Sequence, residues 1–458
     1  MKYSVITFGC RVNQADSLGV EEELRARGAL EAEAKDADVV VVNTCSVTAT
    51  ADQGARQTIR RIARDNPSAR ILVTGCYATR MPEELQRLPH VLRVIANPEK
   101  DRIVDAISEL FGITTAERFG GGEGGCGRAI EPGVAGRTAF TLRVQTGCEE
   151  RCSYCIIPST RGAGRSLIVS DILRSVERVV EAGFKEIAIT GVHLGSYGRD
   201  LTPRVSLFDL LRALGGLSLD VTFRISSLEP MDCTPAIVEL VAANGGRFAP
   251  HFHLPLQHAS DAMLRAMCRP YTGRFYRALV ERILDRVPHA SIGTDLIAGF
   301  PGESDADFAA NLAYLPSSGL SHLHVFPYSD RPGTEASKMS SKVPGPVIRE
   351  RAARLRAIGA QLSRRFRLSQ VGAIRPALTL DDGTVVVTDN YLKLRIGRGL
   401  PRNVRVRVRI DDEMSASVVE PACTSGERDQ AREALPGRGH SRRFGDELPA
   451  GGADVAAT

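Results

Sequence analysis

Along residues 2–115 the spacing of apolar positions switches repeatedly between strand-like and helix-like periods. Residues 2–8 predict a strand, and 15–28 a helix with Leu18, Glu22 and Arg25 at turn spacing. The four valines within 38–43 are apolar on both faces, as a strand inside a parallel sheet must be. A helix over 49–64, a strand over 70–74, and helices near 82–87 and 99–110 around a short strand at 91–95 complete a βαβαβα order. That order predicts an α/β fold with a doubly wound, flavodoxin-like parallel sheet. From 137 to 337 the alternation resumes, with strands expected at 140–145, 186–190, 222–226, 251–256, 291–297 and 322–326 and helices between them, for example over 170–182 and 272–286. Six βα units suit a partial (β/α)6 barrel, whose catalytic residues belong at the carboxyl ends of strands. A helix over 346–368 then leads into short strands divided by turn signals at Asp382-Gly383 and Asp389-Asn390.

Six glycines in the ten positions 119–128 can hold neither helix nor strand, so a Gly-rich linker is expected over 117–136. It separates an N-terminal domain, 1–116, from a core over 137–368 and a third domain over 369–423. The tail, 424–458, is rich in Gly, Ala, Arg and Asp without periodicity and is expected to be disordered. A chain of 458 residues suits about three domains. Its 43% hydrophobic and 25% charged content excludes a collagen-like or wholly disordered chain. The opening MKYSVITFGC holds no apolar run long enough for a signal peptide or a membrane span, so a cytoplasmic location and no membrane partner are expected.

Ten cysteines are too few for a disulfide scaffold, and grouped thiols in a reducing compartment hold metal or do redox chemistry. Cys10, Cys45 and Cys76 each follow a predicted strand, which brings them to the carboxyl edge of the first sheet, where such sheets bind ligands. The alternative is that they are small buried apolar side chains. In GCEERCSYCIIP, residues 147–158, Cys148, Cys152 and Cys155 follow the first barrel strand with the spacing C-x3-C-x2-C. Three thiolates on one loop can hold three irons of a cubane and leave the fourth open to substrate. Zinc in a structural site wants a fourth protein ligand, and the His251, His253 and His258 group keeps that reading open. Cys126, Cys233, Cys268 and Cys423 receive no role.

Charge is unevenly placed. Residues 346–410 carry fifteen Lys and Arg against four acids, +11 in a chain whose total is +5. A polyanionic partner is expected at that end of the molecule. Within it Arg405, Arg407 and Arg409 alternate with Val404, Val406, Val408 and Ile410, which sets three guanidiniums on one strand face, spaced for a phosphate backbone. A merely solvated sheet face is the alternative.

The cysteine loop, with Tyr154 before its last Cys, resembles the radical S-adenosylmethionine superfamily. In that superfamily the open iron chelates S-adenosylmethionine and one electron splits it to methionine and a 5′-deoxyadenosyl radical. GCRVNQADS at 9–17, NTCSVT at 43–48, TGC at 74–76, TGVHLGSYG at 190–198, RISSLEP at 224–230, HLPLQ at 253–257, GTDLIAGFPGE at 293–303 and HVFPYSDRPGT at 324–334 narrow the match. Together they resemble the methylthiotransferase family, and most of all its branch acting on N6-threonylcarbamoyladenosine in tRNA.

This resemblance covers residue 2 to about 420 and implies a C-terminal antiparallel β-barrel of the TRAM kind. It implies that Cys148, Cys152 and Cys155 ligate the 4Fe-4S cluster that cleaves S-adenosylmethionine. Cys10, Cys45 and Cys76 would ligate a second 4Fe-4S cluster carrying the sulfur to be inserted. Tyr154, Gly191, Ser226, Ser227, Gly299 and Glu303 would contact S-adenosylmethionine. The implied partners are a tRNA anticodon stem-loop, an electron donor such as flavodoxin or ferredoxin, and a sulfur donor. Two departures stand out: His258-Ala259 where a Ser-Gly pair is expected, and Thr146 where many relatives carry Asp. The reaction expected is methylthiolation at C2 of the modified adenosine next to the anticodon. The rival readings are methylthiolation of isopentenyladenosine tRNA or of a ribosomal protein, and a non-enzymatic zinc RNA-binding module.

Overall fold

The computed structural model describes residues 1–111, 132, 138–397 and 399–421. The Gly-rich linker, Pro132 apart, lies outside the described residues, as do Cys126, Cys423 and the tail. Five parallel strands, β1 (Lys2–Thr7), β2 (Leu30–Glu31), β3 (Val39–Thr44), β4 (Arg70–Gly75) and β5 (Val91–Ile95), form the first sheet in the order β2-β1-β3-β4-β5. That is the flavodoxin-like order. The valine run explains the layering. Val40 and Val42 pack with Ile59 and Ile62 of α2 (Ala49–Asp65) on one face. Val39 and Val41 pack on the other with Leu24 of α1 (Arg11–Ala26) and Ile107, which lies in the last helix of this unit. Short helices α3 (Cys76–Arg80) and α4 (Pro82–Gln86) connect β4 to β5. The helix expected over 99–110 begins instead as a 3-10 turn, Asn97–Arg102, and becomes α5 only over Ile103–Phe111. Within that turn the ammonium of Lys100 is drawn inward to Asp16 (2.7 Å) and Asn43 (3.0 Å).

The second unit opens with β6 (Phe140–Arg143), β7 (Gln145–Thr146), α6 (Ile157–Arg161), β8 (Arg165–Ser166) and α7 (Val169–Glu181). It continues through β9 (Glu186–Thr190), α8 (Leu207–Gly215), β10 (Thr222–Ile225), α9 (Pro235–Ala243) and β11 (His251–His253). Next come α10 (Asp261–Ala266), α11 (Gly273–Arg286), β12 (Ser291–Ala298), α12 (Asp305–Tyr314), β13 (His322–Pro327) and the short α13 (Glu335–Lys338). Two parallel three-stranded sheets, β6-β9-β10 and β11-β12-β13, make the partial barrel. Backbone bonds from Phe223 N to Arg247 O (2.7 Å) and from Ala249 N to Phe223 O (2.8 Å) join β10 to the segment entering β11. The outer faces carry Ile187, Ile189 and Phe223 onto Ile172, Val176 and Val179 of the amphipathic α7.

Helix α14 (Gly345–Gln370) then leads into a closed barrel of β14 (Ile374–Leu380), β15 (Val385–Thr388), β16 (Lys393–Ile396), β17 (Arg405–Ile410) and β18 (Ser415–Pro421), in the order β14-β15-β16-β18-β17. All its pairings are antiparallel except β16 with β18. The alternation along β17 resolves as expected: Val406, Val408 and Ile410 fill the barrel core, and the arginines point out. Among the described residues no helix is long and apolar enough to cross a membrane.

Candidate active site

β1, β3 and β4 are neighbours in the first sheet, and a cysteine follows each of them. Cys10 caps the amino end of α1, Cys45 follows β3, and Cys76 opens α3. Aligned parallel strands deliver these positions to one edge. A methyl group on Gly9 would lie 2.8 Å from Cys45 Sγ, so the loop bearing Cys10 runs directly over Cys45. Gly75 turns β4 into α3 with φ +99°, and a side chain there would come within 2.2 Å of Thr44 O. Only glycine allows β4 to pass β3 so closely at that backbone angle. Burial pushes the Cys45 thiol up to about 12, with Cys10 and Cys76 adding to the shift, so the three sulfurs share one environment. All three are free of disulfides. Holding a metal would require these thiols to give up their protons to it.

The second triad occupies the loop between β7 and α6. The Glu150 amide donates to Cys148 Sγ (3.4 Å), the Ile157 amide to Cys155 Sγ (3.5 Å), and the Arg269 guanidinium to Cys152 Sγ (2.9 Å). Donors aimed at each sulfur suit thiolates that carry an anionic iron–sulfur cluster, and this donor set fits one. Glu229 and Tyr271 Oη (3.1 Å) hold Arg269 in turn. Burial lifts the Cys155 thiol to about 12. For His193 burial pulls the other way, but hydrogen bonds to Asp232 (2.9 Å between side chains) and to Cys148 prevail and hold the imidazole up at about 9.

Polar contacts bring the two triads to a shared boundary. Asn97 Nδ2 donates to Cys76 Sγ (3.7 Å) and to Thr160 O (2.9 Å), in the helix that begins two residues after Cys155. From the same helix Arg161 reaches Asn13 and Asp16 of α1, the latter at 3.0 Å. Arg331 bonds Asp52 of α2 at 2.6 Å. Arg11, next to Cys10, donates to Ser226 Oγ (3.4 Å) and to Tyr391 Oη (3.1 Å) of the C-terminal barrel.

Gly191 and Gly299 follow the ends of β9 and β12, and Tyr154 meets Phe300 edge-on with ring centroids 6.4 Å apart. Ser226 is buried and Ser227 exposed just beyond β10. Glu303 is enclosed by protein. Its carboxylate accepts the Gly299 amide and lies 3.5 Å from Arg351 and 3.7 Å from His258, so it locks the turn after β12 onto α14. The His251, His253 and His258 group does not converge, because His258 is buried against Asn311 (2.9 Å) and the Ser260 amide (2.9 Å). His253 instead meets His322 and His324 of β13, which strand periodicity alone did not single out. Arg405 donates to Thr222 Oγ1 (2.9 Å) and Lys185 O (2.8 Å), while Arg407 and Arg409 remain exposed. Sequence reasoning missed Arg269, Arg161 and Asn97, whose partners are remote in the chain. Arg11 and Arg331 do lie inside the motif blocks GCRVNQADS and HVFPYSDRPGT, and those blocks were the available signal.

A cysteine loop at the head of a partial barrel, set against a flavodoxin-like sheet with its own triad, defines a radical S-adenosylmethionine protein. A family model described as the Radical SAM superfamily matches residues 142–315, and one described as Uncharacterized protein family UPF0004 matches residues 2–97. The threonylcarbamoyladenosine tRNA methylthiotransferase MtaB of Aquifex aeolicus is 34% identical over 403 residues, covering 86% of this chain and 96% of its own. The protein of the same name from Bacillus subtilis is 32% identical over 412 residues, covering 85% and 88%. Among solved structures, the radical S-adenosylmethionine methyltransferase TsrM from Kitasatospora setae, with cobalamin and a [4Fe-4S] cluster bound, shares the fold. Its TM-score is 0.52 at 16% identity over 73% of this chain and 77% of that one. The chain belongs to the MtaB-type family of radical S-adenosylmethionine methylthiotransferases.

Proposed function

We infer that the protein methylthiolates C2 of N6-threonylcarbamoyladenosine next to the anticodon of tRNA. The observation that carries this reading is identity of 34% along 86% of the chain to a relative named for that substrate. Adenine C2 offers neither an acidic proton nor a leaving group, so acid–base catalysis alone has little to act on. When bound, two 4Fe-4S clusters and S-adenosylmethionine supply the radical and sulfur-transfer chemistry that such a carbon requires.

The protein's share is positional. Cys148, Cys152 and Cys155 would hold one cluster and Cys10, Cys45 and Cys76 the other. Arg269 spreads positive charge onto the sulfur of Cys152. Gly191, Ser226, Ser227 and Gly299 line the strand ends where S-adenosylmethionine would lie, and Tyr154 of the cysteine loop packs against Phe300. Arg161, Asn97 and Arg331 tie the first sheet to the barrel, which supports an arrangement in which a base drawn out of the anticodon loop would face both triads. Arg407 and Arg409 would meet the tRNA backbone. A flavodoxin or ferredoxin and a sulfur donor would complete the cycle, in the cytoplasm where the tRNA is.

Mass spectrometry of tRNA nucleosides tests the reading. A deletion strain should lose the methylthio derivative of threonylcarbamoyladenosine and regain it with the gene, whereas an unchanged profile rejects the assignment.

A further inference from the structure

β11, β12 and β13 bring His253, Asp295, His322 and His324 together, none of them in either cysteine triad. One ligand atom from each of the three imidazoles lies within 4.8 Å of the others. In every ring the opposite nitrogen is already engaged. Asp295 Oδ1 is 3.0 Å from His253 Nε2 and 3.2 Å from His324 Nδ1. A carboxylate only accepts, so those nitrogens carry the protons and the lone pairs of the neutral rings fall on His253 Nδ1 and His324 Nε2. Ser321 Oγ donates to Ile292 O (2.9 Å), which leaves it to accept from His322 Nδ1 at 3.2 Å and puts that lone pair on His322 Nε2. The free nitrogens of His253 and His322 converge over Gly293, where a methyl group would lie 3.0 Å and 2.1 Å from them. The missing side chain leaves room for both rings to aim at one point.

We propose that His253, His322 and His324 bind one divalent transition-metal ion of the zinc class, with Asp295 and Ser321 orienting the rings. Imidazole suits zinc and its neighbours in the first transition row. A ring whose second N–H is held by a carboxylate or hydroxyl is a pre-aimed ligand, and three such rings leave a fourth position open. Ile297, two residues beyond Asp295 on the same face of β12 and so about 7 Å from it, packs in the apolar group that includes Tyr154 of the cysteine loop. Side-chain exposures of 13% for His253 and 25% for His324 give an ion its access. The proposal does not depend on the identity of the tRNA substrate.

The test uses anaerobic, cluster-loaded, full-length protein titrated with Zn2+ by calorimetry, with iron and sulfide counted in each sample. Wild type should bind one equivalent, His253→Ala and His324→Ala none, and Asp295→Asn about 10–100-fold more weakly, all at unchanged iron content. Absence of zinc binding by wild type below millimolar concentration overturns the proposal, as does undiminished binding by the two histidine variants. Should those variants lose their iron through misfolding, zinc-edge X-ray absorption of the wild type decides. Nitrogen and oxygen neighbours alone support the site, and sulfur neighbours would put the ion in a cysteine triad and overturn it.

Discussion

Gly75 shows how much of the site rests on single positions. Its φ of +99° and the 2.2 Å approach to Thr44 O leave a Cβ no place, and a strained backbone of this kind costs on the order of 1–3 kcal/mol before the clash is counted. Gly75→Ala should disturb the first cysteine triad, through Cys76 and through Thr44 beside Cys45, and leave the Cys148, Cys152 and Cys155 loop in place. Iron per chain after anaerobic reconstitution should fall by about half while cleavage of S-adenosylmethionine continues; full iron would show that the turn tolerates a side chain. Cys45→Ala should divide the chemistry the same way, sparing cleavage and stopping sulfur insertion, whereas Cys152→Ala should stop both. Assay of 5′-deoxyadenosine alongside the methylthio nucleoside separates these outcomes.

At the scale of elements, Asp16 is the joint between the first sheet and the barrel. Its buried carboxylate lies between Lys100 (2.7 Å), Arg161 (3.0 Å) and Arg143 of β6. Burial alone would raise its pKa, but the three cations outweigh it and lower the group to about 2 from 3.8. Because the folded value is depressed, the stabilisation is complete above the unfolded value and is lost as pH falls through the folded one. The shift is worth roughly 2 kcal/mol at neutral pH. Asp16→Asn should cost more, about 3–5 kcal/mol, by leaving buried cations unpaired. The stability gap between wild type and variant, from chemical denaturation, should be flat from pH 5 to 8 and shrink from about pH 4 towards 2. A gap that widens on acidification contradicts the assignment.

This joint also marks where sequence reading stops. The strands were legible because the valine run buries both faces of β3 and because Val406, Val408 and Ile410 alternate with arginines along β17. The cysteines could be placed because each follows a strand whose period is plain. The contacts of Asp16 were not legible, since its partners stand 84, 127 and 145 positions away and no local period links them. The same holds for Arg269 and Cys152, 117 positions apart. The two-residue edge strand β2 carries too short a pattern to announce itself.

Over the whole molecule the basic excess of 346–410 is smaller in space than in sequence. Arg351 is bound to Glu303 O and Asp305, Arg375 to Asp389, Arg364 to Glu413, and Arg405 to the barrel at Thr222 and Lys185. Arg351, Arg375 and Arg405 are thereby committed to contacts within the protein, whereas Arg364 keeps most of its side chain exposed. Arg407 and Arg409 stand exposed on the outer face of β17. The row of three predicted from alternation therefore divides into one structural arginine and two available ones. Removing a phosphate contact lowers the slope of log affinity against log salt by about 0.7–0.9. Arg407→Ala and Arg409→Ala should each lower the tRNA slope by about that amount and leave thermal stability unchanged. Arg405→Ala should instead lower stability by about 1–3 kcal/mol, by stranding the Lys185 carbonyl and Thr222 hydroxyl, with little change of slope. Filter binding of tRNA across a salt series, paired with melting curves of each variant, tests this division. Equal slopes for all three variants and the wild type would remove β17 from the tRNA-binding surface and turn attention to the exposed arginines of α14.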